Sequence, residues 1–543
     1  DSAEPGSGER LALRLVMAVT ESRQRPAVDA FVAEVRALKE RVSGMIRDTL
    51  ANALPSDDLE ALARGLETVE SHQAELSDFI ATAERSVDSS IDARRLRRLV
   101  RLAQDLENLA WQLGEGRQGL GRARSGMVLT AESVAAWAGV FPDNPFATPV
   151  TIDLSGDGPQ LAIGLLEGQL RQSTDGLALM RRARLELEHP QDAAREGPRP
   201  KPLSWHDLTP EEKAICPPLF VVGGNDLLRG NGLSQIDRLL GSDLPIKLIV
   251  LNELDLGLAT EAALDTRLSA ADDPGLDVAL LALARRRACI AQTSIAASEH
   301  LRHCLQTALA FDGPALVHLH APSPMRHGFE PDQLLQRAEQ AVASRVLPLF
   351  LYDPRADGVF GSRLSLDGNP QPNASWAAEP KEDSPTPASW ALGERRFAAC
   401  FSKLEQDAPE PLPVSDYLAL DEAARTGKTP VVSAQAEDGS AARLKVEPEL
   451  VEVCADRLQA WRVLQELAGL VTPFTAQVEQ KAREQVAADH AAELDSLRAE
   501  YEARIEALQG TMLEKTRGEM RERMMRLAGY APADKAGQGG GSN

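Results

Sequence analysis

From Val28 onward, apolar residues fall three or four positions apart: Val28, Phe31, Val35, Leu38, Val42, Met45 and Ile46. That period lines them along one face of a helix. Ser56 is a good N-cap ahead of a second stripe, Leu59, Leu62, Leu66, Val69, Leu76 and Phe79. A third stripe uses Leu96, Leu99, Val100, Leu106, Leu109 and Leu113. Such stripes bury themselves against one another, which predicts a helical bundle over residues 1–125 with its first ten residues disordered. The Gly-rich, basic Gly114–Gly126 segment reads as a linker, and Pro159–Glu188 as a long helix.

The pattern changes at Leu219. Leu219, Phe220, Val221 and Val222 form an unbroken apolar run, as in a strand covered on both faces. Gly223 and Gly224 allow a tight turn, a helix is expected around Gln235–Leu240, and Ile246–Leu251 is a second buried strand. Further strands are expected at Ala288–Thr293, Gly313–Pro324 and Val346–Leu351. Helices are expected at Asp277–Leu283, Glu299–Leu309 and over residues 333–345. Strands alternating with helices predict an α/β fold with a doubly wound, mostly parallel sheet over 126–375.

A small mixed region follows over 376–470, with a hairpin in Thr429–Val446 around Asp438-Gly439. Beyond Pro473 one long amphipathic helix is predicted over 471–530, before a flexible tail, 531–543. Its stripe (His490, Leu494, Leu497, Tyr501, Ile505, Leu508 and Met512) repeats every eleven residues, as in a nearly straight or slightly right-handed coiled coil. It is expected to pack on a partner helix, on a second copy, or back on its own chain.

The net charge of −22 over 543 residues argues against nucleic acid or an anionic membrane as partner. No apolar run reaches the ~18 residues of a membrane span. The polar start, Asp1–Arg10, has no signal-peptide pattern. Without a Met it reads as a processed or truncated chain, or one piece of a longer polypeptide. Cysteines 216, 289, 304, 400 and 454 are isolated, which points to reduced thiols in a cytoplasm and gives no iron–sulfur cluster from this chain alone.

Polar residues gather where the two central strands end: Asn225 and Asp226 after the first, Asn252, Glu253 and Asp255 after the second. Ligands of open parallel sheets bind at such strand ends. Gly223-Gly224-Asn225-Asp226 resembles the GGDG turn, and Leu251–Leu258 the LDTEVYSNTGG segment, of the thiamine-diphosphate domain of pyruvate:ferredoxin oxidoreductases. Cys289–Gln292 is similar to that family's YVAQ strand, Gly313–Gly328 to its GPSLIxAYxPCxxHG, and Ala341–Pro354 to its AVxxGxWPLxRYxP.

The resemblance implies a fold of the thiamine-diphosphate-binding type. It makes Gly223, Gly224, Asn225, Asp226, Asn252 and Asp255 the cofactor-binding positions, and Asn225 and Glu253 the Mg²⁺ ligands. It also implies iron–sulfur-bearing and 2-oxoacid-binding partners, on other subunits or upstream, in a homo- or hetero-oligomer. The sequence departs from the family at Asn225 (for a metal-binding Asp), at Leu258 (for an Asn), in lacking the Gly-Gly that follows, and at Ser323 (for a cluster cysteine). These departures predict a catalytically degenerate domain retained for assembly. The alternative is an active thiamine-diphosphate-dependent 2-oxoacid oxidoreductase subunit in which Glu253 restores a carboxylate. His318, His320 and His327 also have the residue types of metal ligands, although histidines on a buried strand are more often hydrogen-bonded core residues.

Overall fold

The computed structural model describes residues 6–53, 93–117, 119–130, 133–138, 146, 148–195, 202–224, 227, 231–258, 277–377, 384–405, 409–435, 441–472 and 474–530. The chain divides into two compact units, Asp1–Leu470 and Val471–Asn543. The predicted second helical stripe, Asn225, Asp226 and the Asp438-Gly439 turn lie outside the described residues.

The first unit is built on an eight-stranded sheet: β1 (Gly126–Thr130), β2 (Val150–Asp153), β3 (Leu219–Gly223), β4 (Ile246–Asn252), β5 (Cys289–Ser294), β6 (Ala315–His320), β7 (Phe350–Tyr352) and β8 (Leu364–Ser365). The spatial order is β2-β1-β3-β4-β6-β5-β7-β8. All pairs from β2 to β5 are parallel, while β7 and β8 pair antiparallel at one edge. The mostly parallel, doubly wound α/β reading therefore holds.

Strand alternation sends Phe220, Val222, Ile249 and Leu251 to one face, against Ala12, Leu13 and Val16 of the first helix and Leu301 and Leu305 of the Ser298–Ala310 helix. Val221, Leu248 and Val250 go to the other face, against Ala162 and Leu166 of the Gly158–Glu188 helix, Ile236 and Leu239, and Trp461. Both faces are dry, which is why these strands carry no polar alternation.

The first helix runs Gly8–Ala53 and the buried Ser7 accepts from Arg10 N, so the disorder expected up to residue 10 is not seen at residues 6–10. The reason is packing: a Cβ on Gly8 would stand 2.3 Å from the Pro322 carbonyl oxygen, so only glycine lets this helix end approach the β6 loop. The stripe Phe31–Ile46 closes on Leu96–Leu113 of the Ala93–Gly114 helix and on Leu177, Met180 and Ala183 of the Gly158–Glu188 helix, forming a helical layer. A second, four-stranded sheet, β10-β11-β12-β9, holds the hairpin β11 (Lys428–Gln435) and β12 (Ala441–Val446) between β9 (Phe401–Lys403) and β10 (Glu410–Pro413). The second unit holds the Thr475–Leu527 helix of 53 residues, close to its predicted span.

Candidate functional site

The strand order reverses between β1 and β3, since the chain leaves β1 toward β2 and leaves β3 toward β4. Ligands of open α/β sheets bind outside the carboxyl ends of the strands at such a point. Thr130, Gly223 and Asp153 stand there. The approach to Gly223 is filled from within: a Cβ at that position would meet Thr130 Oγ1 at 2.3 Å and Leu227 Cγ at 2.7 Å. Leu227 is buried and belongs to the core below. Glycine is thus needed at 223 to admit the chain's own side chains. Asp153 is 3 % exposed and folds back to accept from Ser155 N (2.9 Å) and Ser155 Oγ (3.0 Å) through Oδ1. Its Oδ2 has no hydrogen-bond partner among the described residues.

The second sequence-predicted group lies at the end of β4. Asn252 ends the strand, paired with His320 of β6. Its side-chain oxygen accepts from Leu254 N at 2.8 Å, turning the chain sharply. The turn continues through left-handed Leu254 (φ 59°), Leu256 (φ 58°) and Gly257 (φ 66°). Two non-glycine residues in that region cost of order 1 kcal/mol or more each, so something outside the loop must hold it.

Arg396 does so. Its Nη1 donates to Asp255 Oδ1 (2.6 Å), its Nη2 to the Glu253 and Leu254 carbonyls (2.7 and 3.2 Å), and its Nε to Glu394 Oε2 (2.7 Å). The guanidinium also lies 4.6 Å from the centre of the Phe397 ring. Glu253 is taken by Arg326, which also reaches Glu9 Oε1 at 3.2 Å. Glu9 Oε2 in turn accepts from Trp137 Nε1 at 3.2 Å. Arg326 and His327 are presented by a single helical turn, Pro324–His327, capped at its start by the Ser323 hydroxyl, which accepts from Arg326 N at 3.2 Å. Ser323 therefore serves as a helix cap.

Glu253, Asp255 and His327 bring one ligand atom each to within 4.8 Å of one another, the group among the described residues that could hold a cation. Both carboxylates are already neutralised by arginines, and Asp255 is largely exposed. His327 Nδ1 accepts weakly from Ser323 N (3.4 Å), while Nε2 makes no hydrogen bond and lies 3.9 Å from Glu253 Oε2. Burial holds His327 well below its ordinary range, helped by Arg396 and Arg326. Burial also pushes the Glu394 carboxyl up to about 7 against the pull of Arg396.

His318 and His320 join no such group among the described residues. His318 Nδ1 donates to Gln292 Oε1 at 2.7 Å, since the Gln292 amide nitrogen is spent on the Pro348 carbonyl. His320 Nδ1 donates to the Asn252 carbonyl at 2.9 Å. Burial holds the two rings at about 4 and about 3 respectively. They are hydrogen-bonded core histidines.

Gly223 and Gly224 thus sit at the switch point, Glu253 and Asp255 in the ion-pair cluster, and Asn252 caps the turn that leads into it. Sequence reasoning missed Asp153, Glu9, Arg326, Glu394 and Arg396. Arg326 had a local signal, lying inside the resembling Gly313–Gly328 segment, and Glu394 and Arg396 a weaker one, lying in the ERRFAACF stretch, Glu394–Phe401, where the resemblance is fainter. The chain matches no protein-family model and no curated protein.

Proposed function

We propose that the α/β unit is a thiamine-diphosphate-domain-like module of a pyruvate:ferredoxin-oxidoreductase-type complex, no longer catalytic and retained for assembly. One observation carries this reading. The two carboxylates of the segment that resembles the family's metal-binding strand end are held by Arg326 and Arg396. Mg²⁺ needs hard, anionic oxygens in near-octahedral array, and it would have to displace both guanidinium groups to obtain them. On the other side, Leu227 packs closely against Gly223. The residues described at these two strand ends do not fit the cofactor, so no catalytic step is assigned to them. In this reading the clusters and the oxoacid site come from other polypeptides.

Calorimetric titration of the chain with thiamine diphosphate and Mg²⁺ is expected to show no heat beyond dilution. Binding in the micromolar range or tighter would overturn the reading in favour of an active subunit. In that case Glu253→Ala should abolish binding, because Glu253 would be the one strong charged ligand at the matched positions.

A further inference from the structure

The long helix carries a pattern that neither the α/β unit nor its proposed role explains. Leu494, Leu497, Tyr501, Ile505, Leu508 and Met512 are each between 43 and 71 % exposed, and no other described residue of the second unit covers the stripe. Counted from Tyr501, the stripe reads alike in both directions. Leu497 and Ile505 stand four residues away, Leu494 and Leu508 seven, His490 and Met512 eleven, and Val478 and Met524 twenty-three. A parallel helix pair sets each residue opposite its own copy and requires no such symmetry. An antiparallel pair sets each residue opposite its mirror position about the two-fold axis. A palindromic seam is what lets every apolar residue there meet another stripe residue.

Charge favours the same arrangement. Residues 513–527 carry five basic and three acidic side chains, and residues 475–489 carry two basic and three acidic ones. Turning one helix end for end sets the basic end against the acidic end, whereas a parallel pair stacks the basic ends on each other. At 1.5 Å per residue the 53-residue helix is about 80 Å long, ample for a two-stranded seam.

We propose that this helix pairs antiparallel with the same helix of a second copy of the chain, about a two-fold axis at Tyr501. The pairing is independent of what the α/β unit binds, so its failure would leave the proposed function untouched, and the reverse.

Cysteine cross-linking of the full chain tests it, since all five native cysteines are buried. Disulfides need Cα atoms about 4.4–6.8 Å apart, so they report register. Under mild oxidation, Tyr501→Cys should cross-link to a dimer by itself. Leu494→Cys and Leu508→Cys should each stay uncross-linked alone, yet cross-link when mixed and allowed to exchange. Sedimentation equilibrium of the unsubstituted chain should give twice the mass of one chain, which guards against a weakening effect of the cysteines. Leu494→Cys cross-linking alone as fully as Tyr501→Cys would show a parallel pair and overturn the proposal. So would a one-copy mass at tens of micromolar, as expected if the stripe serves another protein's helix. A dimer that forms none of these cross-links has its contact elsewhere, and that result would overturn it too.

Discussion

Arg396→Ala is expected to cost the first unit about 3–5 kcal/mol of folding free energy, the range for removing one partner of a buried ion pair. The side chain is 6 % exposed and Glu394 is fully buried. Without the guanidinium, Glu394 is left as a buried carboxylate with no cation in hydrogen-bond contact. The Glu253 and Leu254 carbonyls lose their donor at the same time, and the left-handed loop they begin loses its anchor. Arg396→Lys should recover little, because one ammonium cannot serve Asp255, Glu394 and two carbonyls in the directions a guanidinium fork does. Adding Glu394→Gln to Arg396→Ala should restore part of the loss by removing the orphaned charge. Urea unfolding at pH 8, where Glu394 of the unsubstituted chain is mostly ionised in both states, measures all three variants. A loss below about 1 kcal/mol for Arg396→Ala would mean that water or the loop itself replaces the arginine, and that the cluster is not what holds the β4 end.

Acid is expected to unfold the first unit over an unusually mild range, between about pH 6 and 4.5. Burial holds His318 at about 4, His320 at about 3, His300 at about 4 (with His303 adding to the effect) and His327 well below its ordinary value. All four stay neutral in the folded chain. In the unfolded chain they take up protons as pH falls through about 6.5. The unfolded state then binds more protons, so stability present above pH 6.5 is lost on acidification. Glu394 acts in the opposite sense: raised to about 7, it holds a proton in the folded state from pH 7 down to its ordinary value, which cancels about one histidine. The net of about three protons gives a slope on the order of 4 kcal/mol per pH unit, against a total stability of roughly 5–15 kcal/mol for a typical domain. Urea midpoints measured from pH 7.5 to 5 should fall steeply. The double variant His318→Gln, His320→Gln should flatten the slope by more than half, whatever it costs at neutral pH. Midpoints that stay level down to pH 5 would show that these rings accept protons in the folded state.

Hydrophobic patterning is a local property, and where it was strong the elements followed from it. The runs Leu219–Val222 and Ile246–Leu251 became the central parallel strands because their apolar residues bury on both faces, and the one polar residue among them, Lys247, is itself buried with its Nζ donating to the Phe311 and Gly313 carbonyls. The 3.6-residue stripe Val28–Ile46 became a helix face because its spacing suits nothing else. The palindrome about Tyr501 is likewise written in the sequence alone, since a helix places residues by number.

The pairing of charges left no such trace. Glu253 and Asp255 read in the sequence as free carboxylates beside a glycine turn, the chemistry of a metal site. Whether they are free depends on Arg396, separated from Asp255 by 141 residues in sequence, and on Arg326, whose other partner, Glu9, is 317 residues away. Neither arginine belongs to a periodic pattern, and the apolar residues that follow Arg396, Phe397 to Phe401, do not say which distant charges it will meet. The order β4-β6-β5 and the antiparallel edge strands likewise have no local signature in the sequence. That order brings His327 and the Pro324 turn onto the end of β4, against the carboxylates. Backbone propensity acts within a few residues, whereas the electrostatics of a strand end is set by whatever the folded chain carries across it.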